Sequence, residues 1–178
     1  LVTATVAEGD DVTFTVSGTE LAITSAGVLT FASAPDYEIK TSYTATVTAS
    51  DGVNSTTQDI TINVTNVNDV APEFTSEATF SAAENQTAIG TVTATDADGD
   101  GILYTISGSD ITINSSSGVI AFTSAPDYET KTTYTATVTA SDGLNSTTQD
   151  ITVNVTNEND NSPSFTSEAT FSAAENQT

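Results

Sequence analysis

The sequence predicts an all-β chain of tandem, seven-stranded antiparallel Greek-key β-sandwiches. Three observations predict it. The 178-residue chain repeats itself at a period of 91: Pro35-Asp36-Tyr37-Glu38 returns as Pro126-Asp127-Tyr128-Glu129. Of the 37 positions from 33 to 69, five differ from positions 124–160, and residues 75–87 return unchanged as 166–178. A fixed period of this length marks stacked structural units. Apolar residues also alternate with Thr and Ser, the period-two pattern of a half-buried strand. The alternating runs are short, Gly, Asp, Asn and Ser punctuate them, and no segment keeps a helical period.

The elements follow in order. In the second repeat the expected strands are 74–84, 88–95, 102–107, 110–114, 118–123, 132–142 and 149–156. The run 132–142 is the clearest, with Tyr134, Ala136, Val138 and Ala140 alternating with Thr135, Thr137 and Thr139. In 149–156, Ile151, Val153 and Val155 face inward. Thr is β-branched and suits the solvated face of a pleated strand. Asp98-Gly99-Asp100-Gly101 and Asp142-Gly143 read as turns. Seven such strands in about 90 residues fit one sandwich.

This gives three segments: residues 1–69 as a repeat lacking its first strand, 70–160 as a complete repeat, and 161–178 as the first strand of a following one. Val2-Thr3-Ala4-Thr5 aligns with Val92-Thr93-Ala94-Thr95, so the first repeat starts late. Two readings stay open. One is a window cut from a longer array. The other is donation of the C-terminal strand to the first repeat of another copy, since open edge strands invite such addition.

Composition narrows the chemistry. Two lysines, Lys40 and Lys131, stand against 24 acidic residues, giving a net charge of −22. Phosphate backbones and anionic membrane surfaces both need clustered Lys or Arg, so nucleic-acid and membrane-surface binding are excluded as functions of this segment. No membrane-length apolar run is present. With neither Cys nor His, disulfides, thiolate sites and imidazole sites are excluded. Oxygen ligands remain, which suit hard cations, Ca²⁺ above all. The hydrophobic content, 37% and alternating rather than absent, favours a fold over an acidic disordered tail.

Five acidic motifs recur in order within one period: Ala83-Glu84-Asn85, Asp96-Ala97-Asp98, Asp127-Tyr128-Glu129, Ala140-Ser141-Asp142-Gly143 and Asn157-Glu158-Asn159-Asp160-Asn161. In order and spacing the chain resembles the cadherin repeat, most of all the cadherin-like repeats of giant bacterial surface adhesins. The resemblance implies Ca²⁺ ions bound at each junction between repeats. At the internal junction it implies Asp36 and Glu38 from the first repeat, Asn66, Asn68 and Asp69 from the linker, and Asp96, Asp98 and Asp142 from the second. A second half-site is implied at Glu84, Asp127, Glu129, Asn157, Asn159 and Asp160. The chain departs from the family at the leading linker position, Asn66 and Asn157 instead of Asp, and at Val70 instead of Asn. Val6-Ala7-Glu8-Gly9-Asp10 also replaces the Asp-x-Asp stretch at the front of the first repeat. Fewer or weaker ions are expected there.

The carboxylate pattern has a physical basis apart from the family. Two carboxylates near 4 Å repel by roughly 1–4 kcal/mol at water-like to surface-like dielectric, so clustering them calls for a cation. Other readings compete. Asp96-x-Asp98-x-Asp100-Gly101 opens like an EF-hand loop, but Ser107 stands where that loop needs a bidentate Glu. Asn54, Asn63, Asn145 and Asn154 open Asn-x-Ser/Thr triplets, read here as strand-face composition. An enzyme is not expected, because nucleophile elbow, phosphate loop, His and Cys are all missing.

The expected function is a calcium-rigidified extracellular or cell-surface spacer and adhesion repeat, whose partners are neighbouring repeats or copies of itself. Two alternatives are a self-assembling filament subunit joined by strand donation and a non-catalytic module of a secreted polysaccharide-degrading enzyme.

Overall fold

Thr- and Ser-alternating runs become strands, and the Asp-Gly and Asn-Ser stretches between them become turns. The structure, a computed structural model, describes residues 1–175. Fourteen strands and no helix occur among the described residues, so no helix is long and apolar enough to cross a membrane. The chain divides into two compact units. The first is Leu1–Glu73 with Thr95–Ile102 and Ser141–Thr147; the second is Phe74–Ala94, Leu103–Ala140 and Thr148–Thr178.

The first unit holds β1 (Thr13–Val16), β2 (Leu21–Ile23), β3 (Leu29–Phe31), β4 (Ser42–Ser50) and β5 (Ser55–Asn63). One sheet runs in the order β1-β4-β5, and β2 pairs with β3. β4 and β5 form an antiparallel hairpin from Ser42↔Asn63 to Ser50↔Ser55. Its turn is set by Asp51, whose Oδ1 accepts the amides of Val53 and Asn54. Alternation along β4 buries Val47 and Ala49 beside Phe14, with Val2, Val12, Val16, Ile23 and Ile60 packed around them.

The second unit carries β6 (Glu73–Phe74), β7 (Thr79–Ala83), β8 (Ala88–Thr91), β9 (Ala94–Thr95), β10 (Leu103–Ile106), β11 (Ile111–Ile113), β12 (Val119–Phe122), β13 (Thr133–Ser141) and β14 (Ser146–Thr156), of which Glu73, Thr95, Ser141, Ser146 and Thr147 belong to the first unit. Its sheets run β10-β13-β14-β7 and β11-β12-β8. Val92, Ile120, Val138, Ile151 and Val153 fill the space between them and are at most 1% exposed. Each such side chain contributes about 1.5–3 kcal/mol on leaving water. Ile60 and Ile62 on β5, the counterparts of Ile151 and Val153, are only half-buried. The difference follows from sheet order: β7 lies outside β14, while β5 is the outer strand of its own sheet.

The structure differs from the expected strands in five places. The single strand expected at 74–84 is two, β6 and β7, because β6 pairs with β9 in a separate two-stranded sheet while β7 joins β14. Thr75 and Ser76 donate to the Thr93 carbonyl, and the Ala78 carbonyl already accepts from Thr152 on β14. The strand expected at 88–95 breaks around Val92, whose amide turns to the Gly118 carbonyl. The strand expected at 149–156 starts earlier, at Ser146. One pair is parallel rather than antiparallel: β7 on β14, from Thr152↔Thr79 to Thr156↔Ala83. Residues 161–175 form no strand, with Phe165 and Phe171 at 98% and 79% exposure. A strand exists by pairing, and this segment has no ladder partner among the described residues. The last three residues of the strand expected at 161–178 lie outside the described residues.

Gly27 and Gly118 are the backbone positions that admit no other residue. Both have positive φ, +82° and +70°, and a Cβ there would sit 2.1 Å from the carbonyl oxygens of Val2 and Val92. Those carbonyl-bearing residues donate their own amides back to Gly27 and Gly118. Gly118→Ala is expected to destabilise the second unit by at least about 1–3 kcal/mol, the cost of a strained left-handed residue. Urea unfolding of the variant against the parent chain measures it.

Candidate metal centre

Among the described residues, clustered carboxylates occur at two places. In the first unit, Glu38, Asp69 and Asp98 each offer an oxygen within 4.8 Å of the others, and Asp96, Asp98 and Asp100 form a second such group sharing Asp98. In the second unit, Glu84, Asp127 and Glu129 do the same.

The linker explains the first group. Asp98 lies in the loop after β9, and its Oδ2 accepts the amides of Asp69 (3.1 Å) and Val70 (2.9 Å). Asn66 Nδ2 donates to the Asp98 carbonyl at 2.8 Å. Asp96 Oδ1 accepts the Asp100 amide at 3.2 Å. These bonds leave Asp96 Oδ2 and Asp98 Oδ1 buried with no hydrogen-bond partner. A buried polar atom without a partner costs free energy, and a charged one costs more. The Asp98 oxygen, grouped with Asp69 and Glu38, and the Asp96 oxygen, grouped with Asp98 and Asp100, make a donor set that fits a hard cation.

No side-chain cation of the protein fills that role. Lys40 is paired with Glu20 and stands 4.4 Å over the Tyr43 ring. Lys131 is paired with Asp110 at 2.7 Å and stands 4.0 Å over the Tyr134 ring. The acidic groups are left to repel. Desolvation first, and then the Asp98 and Asp36 carboxylates, push the Glu38 carboxyl above its usual value, against the opposing pull of its backbone hydrogen bond.

The other expected ligands of the internal junction lie outside these groups. Asp36 Oδ1 accepts the Ile39 amide at 3.1 Å and caps its own turn. Asp142 Oδ1 accepts the amides of Leu144 (2.7 Å) and Asn145 (2.6 Å) in the β13–β14 hairpin. Desolvation raises the Asp142 carboxyl, but those amides and the side chains of Asn145 and Asn68 outweigh it and hold it below the usual range. Asn68 Oδ1 accepts from Asn145 Nδ2 at 2.7 Å. Asn54 and Asn145 thus sit in hairpin turns, not on strand faces as the sequence reading had it.

In the second unit Glu84 is 3% exposed, and both its oxygens are taken: Oε2 by the Tyr128 amide and Oε1 by the Glu158 amide, each at 2.8 Å. Glu84 therefore ties the end of β7 to the Asp127–Glu129 loop and to the stretch after β14. Asn157 Nδ2 donates to Glu129 Oε1 at 3.2 Å, and Thr130 Oγ1 donates to Asp127 Oδ2 at 2.9 Å. Asp160 stands apart from this group, its Oδ2 bonded to Asn85 Nδ2 at 2.7 Å. Asn159 is exposed. Among the described residues, Glu8, Asp10 and Asp11 join no metal-compatible group. Sequence reading met Asp100 in the Asp96-x-Asp98-x-Asp100 spacing that it rejected as an EF-hand loop, and left it out of the expected ligands. It also passed over Asn145, for which the sequence holds no signal beyond its place after Asp142.

Comparison with known proteins gives this arrangement its context. Residues 78–156 match the family model of the Cadherin domain. The chain is 35% identical over 161 residues to the protocadherin-like wing polarity protein stan of Drosophila melanogaster, covering 79% of this chain and 4% of that protein. It is 37% identical over 150 residues to human protocadherin Fat 1, covering 73% of this chain and 3% of that one. Among solved structures, the extracellular cadherin domains 3–6 of protocadherin gamma B2 align with a TM-score of 0.74 at 28% identity, over 84% of this chain and 42% of that one. These comparisons support a cadherin-like repeat, with the family match lying over residues 78–156. The chain spans a few per cent of the length of these relatives, and they are animal proteins, not the bacterial surface adhesins that the sequence reading had favoured.

A carboxyl raised in the folded state binds its proton more tightly there. The Glu38 penalty is therefore absent below the usual value of 4.5, grows as pH rises through it, and is complete above the raised value. In chelator, Glu38→Gln is expected to raise the melting temperature at pH 7 and to leave it unchanged near pH 4. Circular dichroism melts at the two pH values check this; equal melting of variant and parent at pH 7 contradicts it.

Proposed function

We propose that the chain is a calcium-rigidified extracellular spacer and adhesion segment of a long surface protein. One observation carries this reading: the buried, partnerless oxygens of Asp96 and Asp98, in two carboxylate groups that share Asp98 and include Asp69, Glu38 and Asp100, in a chain whose two lysines are engaged elsewhere. A bound Ca²⁺ supplies positive charge and takes six to eight oxygens. Glu38 and Asp36 would offer oxygens from the first repeat, Asn66, Asn68 and Asp69 from the linker, and Asp96, Asp98, Asp100 and Asp142 from the second repeat. Glu84, Asp127, Glu129, Asn157, Asn159 and Asp160 would serve the equivalent site in the second unit.

Extracellular modules of this kind bind Ca²⁺ with a Kd of about 10⁻⁴–10⁻³ M, which suits the outside of a cell and not the cytosol. Relatives described as extracellular cadherin domains support the same location. The role is mechanical and adhesive, not enzymatic, and the partners are neighbouring repeats or further copies of the chain. Near-identical successive repeats fit an array extended by duplication.

Millimolar Ca²⁺ is expected to raise the melting temperature over that in chelator, because a ligand at about one to ten times its Kd stabilises by about 0.4–1.4 kcal/mol. Asp98→Ala is expected to remove most of that rise while leaving both units folded in chelator. Differential scanning calorimetry checks it. An identical melting temperature with Ca²⁺ and with chelator would sink the reading.

A second reading, self-association through the C-terminal segment, is favoured by one observation. Thr170-Phe171-Ser172-Ala173-Ala174 repeats the sequence of β7, whose parallel pairing with β14 matches the open flank of β5 one period earlier. Removing residues 163–178 is then expected to abolish concentration-dependent association in sedimentation; association unchanged by the deletion counts against it.

A further inference from the structure

The two repeats offer an internal comparison. Asn54 and Asn145 occupy the same place in the same hairpin turn, and both donate backbone amides to the carboxylates of Asp51 and Asp142 at 2.6 Å. Both side-chain amides also donate to those carboxylates, at 3.4 Å and 3.2 Å. One difference separates them. Asn145 Nδ2 also donates to Asn68 Oδ1 at 2.7 Å, in the linker, and Asn145 is half-buried where Asn54 is exposed. Asn68 neighbours Asp69, whose amide, with that of Val70, is held by Asp98 Oδ2.

We propose that Asn145 is a positioning residue that latches the linker onto the β13–β14 hairpin and thereby presets Asn68, Asp69 and Asp142 for cation binding. The part about cation binding rests on the calcium reading above; the latch itself does not. One amide nitrogen joins the Asn68 side-chain oxygen and the Asp142 carboxylate, two of the expected ligands that lie outside the carboxylate groups. An amide oxygen has two lone pairs and a carboxylate about four acceptor sites. Asn68 and Asp142 therefore keep acceptor capacity for a metal while Asn145 fixes where it points. Ligands ordered in advance lose less freedom when they bind. The conventional role, capping the hairpin through Asp142, is common to Asn54 and cannot distinguish the two residues.

The test compares Asn145→Ala with Asn54→Ala in the whole chain. The first readout is amide hydrogen exchange by NMR in chelator. Loss of one hydrogen bond of ordinary strength is expected to speed exchange of the Asp69 and Val70 amides about fivefold in Asn145→Ala and not in Asn54→Ala. The second readout is a calorimetric titration with CaCl₂, where Asn145→Ala is expected to weaken binding several-fold and Asn54→Ala to leave it within twofold of the parent. Unchanged exchange at Asp69 and Val70 in Asn145→Ala overturns the latch. Faster exchange with Ca²⁺ affinity equal to that of Asn54→Ala overturns the presetting. Should the parent chain itself bind no Ca²⁺, the proposed function fails, and the exchange result still decides the latch.

Discussion

The chain cannot neutralise its own carboxylates. With 24 acidic side chains and two lysines, charge balance has to come from outside. Each lysine is held by a carboxylate partner and an aromatic ring in the same place in its repeat, Lys40 with Glu20 and Tyr43, Lys131 with Asp110 and Tyr134. Exposed pairs of this kind contribute little stability. Their consequence here is to remove both lysines from any role near the acidic groups. Everything at those groups follows: raised protonation of Glu38, orphaned oxygens on Asp96 and Asp98, and a linker whose polar atoms are turned toward one carboxylate.

The linker meets the carboxylates with neutral hydrogen bonds as well as charge. Where the family pattern calls for Asp, Asn66 uses its amide as a donor to the Asp98 carbonyl, a bond that a carboxylate could not make. Its counterpart Asn157 donates to Glu129 instead. The substitution trades one negative charge for a hydrogen bond in both copies, which lessens repulsion among the acidic side chains. Fewer charges on the ligands also means weaker cation affinity, in keeping with the range of extracellular sites.

Much of the fold was legible in the sequence because β-structure with one buried face writes its period directly. Thr135, Thr137 and Thr139 against Ala136, Val138 and Ala140 left no ambiguity, and β13 and β12 fall within about a residue of their expected bounds. Legibility failed where a strand changes partner. The residues between β6 and β7 keep the same alternation as a continuous strand, and nothing local records that the chain is leaving one sheet for the other. The parallel pairing of β7 with β14 is likewise a property of topology, absent from any single segment. At the candidate metal centre the carboxylates were visible as recurring motifs, because like charges held together repel. Asn145 was not visible, because its distinction from Asn54 exists only through Asn68, 77 positions away.

The central claim is that oxygens of Glu38, Asp69, Asp96 and Asp98 surround a divalent cation. Diffraction from crystals grown in millimolar Ca²⁺, with anomalous signal recorded, tests it most directly. The account predicts an anomalous peak with carboxylate oxygens of Asp69, Asp96 and Asp98 at about 2.3–2.6 Å, and Glu38 turned toward it. A well-ordered map in which Asp98 Oδ1 and Asp96 Oδ2 meet only water, with no peak beside Asp69, would contradict it.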